Sequence, residues 1–215
     1  MALQIVDFNK SEVGLVVRGK RGPDHQPWAF QTHVDCIFAN GAPVGYFGNS
    51  ELSISGSGSS GMGMSGIVFD YPLFLKHRRH YVDLNEAKAQ GQQSTALLVE
   101  VSMKEAMDFG MTWLRMKANP DTFNIVGHNC ASHASLAFIY SRILDGGING
   151  LDTPNNLYNQ ILERRKPNVR EIGGYLGFRE AGFGKFQMLL DDSADITAIK
   201  PPDKPDVIRI QLPPR

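Results

Sequence analysis

Cys130 is one of two cysteines in a chain of 215 residues, and its neighbours give it the surroundings a nucleophilic thiol needs. It follows Asn129, a residue type that caps helix N-termini, and it precedes Ala131, Ala134, Ala137 and Phe138, which are apolar residues at helical spacing. A thiol in the first turn of a helix feels the positive end of the helix dipole, which favours the thiolate. Such a nucleophile needs a base, and six histidines are available, at 25, 33, 77, 80, 128 and 133. His128 and His133 lie so close to Cys130 in sequence that local geometry keeps them off the path of attack. His33 lies in the apolar run Trp28–Phe38. Strand alternation there puts Val34, Cys36 and Phe38 on one face and His33 and Asp35 on the other.

Other readings of these residues compete. A lone cysteine is commonly a small buried hydrophobe. His128, Cys130 and His133 bunch like metal ligands, but no fourth ligand or zinc-like spacing accompanies them, so neither a metal nor a cofactor is expected. Cys36 lies mid-strand and lacks the helix-dipole activation.

Strands are expected at 13–18, 28–38, 44–47, 67–75 and 96–101. Asn40-Gly41 should close a hairpin between the second and third, and Pro43 is tolerated as a first strand residue. The Gly/Ser-rich stretch 55–66 reads as a loop, Lys76-His77-Arg78-Arg79-His80 as a solvated basic turn, and 85–94 as polar chain. Ser102-Met103-Lys104-Glu105 is a capping box that opens a helix, with Met103, Met107, Met111 and Leu114 expected on its core-facing side. The cysteine helix should run from 130 to about 144. Thr153 and Pro154 should start another helix that turns Leu157, Ile161 and Leu162 inward. Residues 171–190 should hold one or two strands.

Asn124-Ile125-Val126 followed by Asn129-Cys130 resembles the Tyr-Asn-Leu-x-x-x-Asn-Cys signature of circularly permuted papain-like thiol hydrolases, which comprise the permuted NlpC/P60 and lecithin:retinol acyltransferase-like enzymes. His33-Val34-Asp35-Cys36-Ile37-Phe38-Ala39-Asn40-Gly41 is similar to their His-x-x-Ile-Tyr-x-Gly-Asp-Gly strand and turn, and Thr153-Pro154-Asn155-Asn156-Leu157 to a helix start in some bacterial members. The resemblance spans roughly residues 28–165. It implies an α+β, papain-like antiparallel sheet packed against a helix that bears the nucleophile, with Cys130 attacking a carbonyl and His33 as base. In that family a polar residue on the return strand orients the imidazole. Gly45 occupies the matching position here, so Asn49 is assigned the role, ahead of Glu51 and Asp35. Asn129 and His128 are assigned to the oxyanion or substrate side.

The resemblance further implies an amide or peptide bond in peptidoglycan as substrate, and a type VI secretion effector with an immunity protein and a delivery component as partners. A lipid acyl hydrolase using the same pair, or a papain-like binding module without activity, are the alternatives. Composition fits without selecting among them. Twenty-two basic and twenty-two acidic residues cancel, so no global field calls for nucleic acid. No run reaches the length of a membrane span, and Met1–Asp7 shows no signal-peptide pattern. The expected layout is one domain over 1–197 and a Pro-rich extended tail over 198–215. Synthesis in the cytoplasm and export to a target-cell periplasm would follow from the effector reading.

Overall fold

The computed structural model describes residues 3–8, 11–27, 32–48, 64–123, 128–146 and 153–192. Within these residues nine strands form an antiparallel sheet: β1 Gln4–Asp7, β2 Glu12–Arg18, β3 His33–Ile37, β4 Pro43–Gly48, β5 Met64–Phe69, β6 Gln93–Glu100, β7 Thr122–Phe123, β8 Val169–Gly182 and β9 Lys185–Asp191. Their order is β1-β9-β8-β6-β2-β3-β4-β5-β7. Among the described residues, five helices accompany them: α1 Tyr71–His77, α2 Leu84–Ala89, α3 Met103–Ala118, α4 Cys130–Tyr140 and α5 Pro154–Arg165. The class is α+β. Among the described residues, no helix is long and apolar enough to cross a membrane. The tail at 198–215, the Gly/Ser-rich residues 55–63, Asn49 and Glu51 lie outside the described residues.

The central strands are buried on both faces. On β2, Val13, Leu15 and Val17 join α3, α4 and α5 in one core, while Val16 joins Phe47, Phe69 and Phe74 in the other. Strand alternation therefore sends β2 side chains into two apolar layers, which is why the run reads as continuously hydrophobic. The hairpin from β3 to β4 closes as its residues require. Gly41 has φ +84, and the Phe38 N–H donates to the Ala42 carbonyl at 2.9 Å.

Several expectations need correction. The run 67–75 is not one strand. Asp70 caps a new helix by accepting from the Leu73 N–H, and Pro72 suits the first turn, so the strand stops at Phe69 and α1 follows. The polar stretch 85–94 contains most of α2, capped by Asp83. The basic cluster closes α1 and enters a 3-10 turn at Arg79–Tyr81. The cysteine helix ends at Tyr140, because Arg142 adopts φ +63 and turns the chain back so that the Ile143 and Leu144 N–H groups reach the Phe138 carbonyl.

The largest correction concerns α3. Its capping box forms, with Ser102 and Glu105 each accepting from the other's N–H. The methionine stripe faces outward: Met103, Met107, Met111 and Leu114 are 58, 63, 48 and 58 % exposed. The helix carries two apolar stripes, and the one with Ala106, Phe109 and Trp113 is buried. Aromatic side chains remove more apolar area from water than methionines do, so they decide which way the helix rotates. Phe109→Ala should therefore cost about 3–5 kcal/mol. Met107→Lys should change stability by no more than about 0.5 kcal/mol. Urea denaturation of the two variants checks the orientation, and the reverse ranking contradicts it.

Candidate active site

Cys130 is the first residue of α4, and Asn129 caps the helix: its Oδ1 accepts from the Ala131 N–H at 2.9 Å and the Ser132 N–H at 3.0 Å. Ser132 completes the cap, accepting from the Asn129 N–H at 2.8 Å. These bonds commit the Asn129 carbonyl side of its amide to shaping the helix start. The thiol is nearly covered, at 8 % exposure. Packing of α4 across β3 and β4 brings it close enough to His33 to act on the imidazole.

His33 opens β3 and is held on several sides. Its ring stacks on Phe47 with centroids 4.2 Å apart, and Tyr81 lies at 5.7 Å. Its Nε2 is 3.1 Å from Asp35 Oδ1. A carboxylate only accepts, so that nitrogen carries the proton and Nδ1 is left for the thiol. Burial alone would push the imidazole down. The Cys130 charge, then the Asp35 charge, and hydrogen bonds to both more than offset it, holding His33 well above its ordinary value.

Asp35 is fully buried and stays ionised. Burial favours its neutral form, but Arg18 and then His33 hold the carboxyl below the usual carboxylate range. Arg18, 2 % exposed, donates from Nε to Asp35 Oδ2 at 2.7 Å and from Nη2 to the Tyr81 carbonyl at 2.9 Å. Its guanidinium lies 4.8 Å from the Tyr81 ring centroid.

The position that departs from the resembled pattern has a physical role. Gly45 pairs directly with Asp35 across β3 and β4. A Cβ at 45 would overlap Asp35 Oδ1 and press on Phe47 and Phe74. The empty side chain on the return strand makes room for a carboxylate that comes from β3 instead. Asp35 thus meets His33 from β3 itself, while Asn49, the sequence candidate for orienting the imidazole, lies outside the described residues.

The remaining sequence candidates lie apart from this contact. His128 is 57 % exposed, with Nδ1 3.6 Å from Asp121 Oδ2. His133 stacks on Tyr46 at 3.5 Å between centroids, and its Nδ1 is 3.1 Å from the Asn129 carbonyl. Burial pushes His133 down. Cys36 is fully buried on the opposite face of β3 from Asp35, and burial pushes its thiol well up, as suits an inert core cysteine. Arg18, Phe47 and Tyr81 were not singled out by sequence. The one signal for Arg18 is a charged residue closing the apolar run Val16-Val17.

A scan against protein-family models, a search of curated proteins and a search of solved structures each returned no match.

The glycine slot is directly testable. Gly45→Ala should destabilise by about 1–3 kcal/mol through overpacking and displace the Asp35 carboxylate. A denaturation curve and a crystal structure of the variant check this. Wild-type stability with Asp35 unmoved contradicts the steric account.

Proposed function

We propose that this chain is a papain-like cysteine hydrolase of permuted NlpC/P60 type, cleaving an amide bond with Cys130 as nucleophile and His33 as general base. The observation that carries the reading is the contact between a thiol at a helix N-terminus and an imidazole whose other nitrogen is held by a buried carboxylate.

The chemistry follows from that arrangement. His33 Nδ1 takes the Cys130 proton, and the sulfur attacks the carbonyl carbon to form a tetrahedral oxyanion. Asn129 occupies the Ala131 and Ser132 N–H groups, so the Cys130 N–H is the helix amide that faces the developing charge. Collapse breaks the C–N bond, and the leaving amine takes its proton from His33. A water then gives its proton to His33 and opens the thioester, which returns the thiol and releases the acid. Asp35 accepts from Nε2–H throughout and steadies the imidazolium. His128 stands on the exposed side of the helix start, where it can contact substrate rather than the sulfur.

By analogy with the enzymes it resembles, the substrate is a peptidoglycan stem peptide, and the setting is an antibacterial effector with a cognate immunity protein and a delivery component.

Cys130→Ala should abolish hydrolysis while the protein keeps its fold. His33→Ala should lower the rate by about 10²–10⁴-fold, the usual share of general acid–base catalysis. Cys36→Ala should retain most activity and lose stability only. Product analysis on purified peptidoglycan and on phospholipid vesicles reads all three. New amine termini from peptidoglycan support the reading, released fatty acid replaces the substrate class, and an active Cys130→Ala protein removes the mechanism.

A further inference from the structure

We propose that Arg18 is a positioning residue of this site, aiming the Asp35 carboxylate at His33 Nε2 while tying down the Tyr81 backbone. The inference rests on the Cys130–His33 reading and adds a residue that neither the motifs nor the resemblance names.

The geometry is specific to a guanidinium. Arg18 and His33 are paired residues of adjacent strands, so both side chains leave the sheet on the face that also carries Asp35. Arg18 Nε takes Asp35 Oδ2 and leaves Oδ1 for the imidazole. Its Nη2 ties the Tyr81 carbonyl, and its plane lies against the Tyr81 ring, which also neighbours His33. One planar group therefore fixes both the acceptor behind His33 and an aromatic wall beside it. The other titratable or charged groups acting on these side chains, among the described residues, are Cys130 from α4, Cys36 from β3, and Arg78, His80 and Tyr81 from the turn between α1 and α2. Asp35 is the one carboxylate in that set, and Arg18 is the largest influence opposing its burial.

The sign follows. Arg18 lowers the Asp35 pKa, so its removal lets Asp35 take a proton at higher pH, and the imidazolium then loses its counter-charge as pH falls. The loss appears on the acid side and spares the alkaline side.

The experiment measures iodoacetamide alkylation of Cys130 in the full-length protein, read on the Cys130 peptide by mass spectrometry at pH 5.5 and pH 8. In Arg18→Met the rate at pH 5.5 relative to pH 8 should fall severalfold below the wild-type ratio, because a neutral Asp35 no longer supports the imidazolium. Arg18→Lys keeps a cation beside Asp35 and should restore most of the ratio. His33→Ala tests the underlying reading separately. Arg18→Met matching wild type while His33→Ala differs overturns the Arg18 role and leaves the Cys–His pair standing. His33→Ala matching wild type overturns the pair itself. Should Arg18→Met fail to fold, Arg18→Met/Asp35→Asn removes both buried charges together. That double variant should alkylate like Asp35→Asn, and a wild-type profile in it overturns the proposal.

Discussion

Two opposite charges meet in the interior of this protein, where Arg18 Nε lies 2.7 Å from Asp35 Oδ2 and both side chains are essentially inaccessible to water. Burying an ion costs several kcal/mol even after relaxation, and an ion pair recovers that cost only if geometry is good and remaining donors and acceptors are used. Here they are used. The second Asp35 oxygen faces His33, and a second guanidinium nitrogen holds the Tyr81 carbonyl. The pair is weak evidence for added stability. Its consequence is directional: the carboxylate is fixed and ionised, so it holds the His33 Nε2–H in one place.

The fold serves this arrangement from both faces of one sheet. Strand β3 sends Val34 and Cys36 into the core beneath α3, α4 and α5, while His33 and Asp35 share their face with Arg18 and Phe47. Cys130 reaches the pair because α4 starts beside β3 and β4, and its start is set by Asn129 and Ser132. Gly45 shows how tightly the layer is filled: the β4 position opposite Asp35 has no room for a methyl group. A site assembled in this way is rigid, because each polar member is held by residues whose own rotamers are fixed by packing.

Much of this was legible in the sequence. The Asn129 cap, the apolar spacing after Cys130, the Asn40-Gly41 turn and the Thr153-Pro154 helix start are local signals, and local chemistry decided those elements. Alternation also separated His33 and Asp35 from Val34 and Cys36. What escaped depends on non-local contact. No spacing rule says that β2 lies beside β3 in the register that pairs Arg18 with His33, so Arg18 read as an ordinary charged strand end. Gly45 read as a missing partner, because the space it leaves is visible only once Asp35 stands across from it. On α3 the methionines and the aromatics have the same helical period, and only the packed area against the sheet chose between them.

The central claim is that His33 is an oriented, charge-supported imidazole in contact with Cys130. The most direct measurement is the ¹⁵N and ¹H NMR titration of the His33 ring in the wild-type protein and in Cys130→Ser. The account predicts an imidazolium that persists above the ordinary histidine value of about 6.5, with a hydrogen-bonded Nε2–H, and a midpoint that drops when the sulfur is replaced. A His33 that titrates at the ordinary value, unchanged by Cys130→Ser, would contradict it.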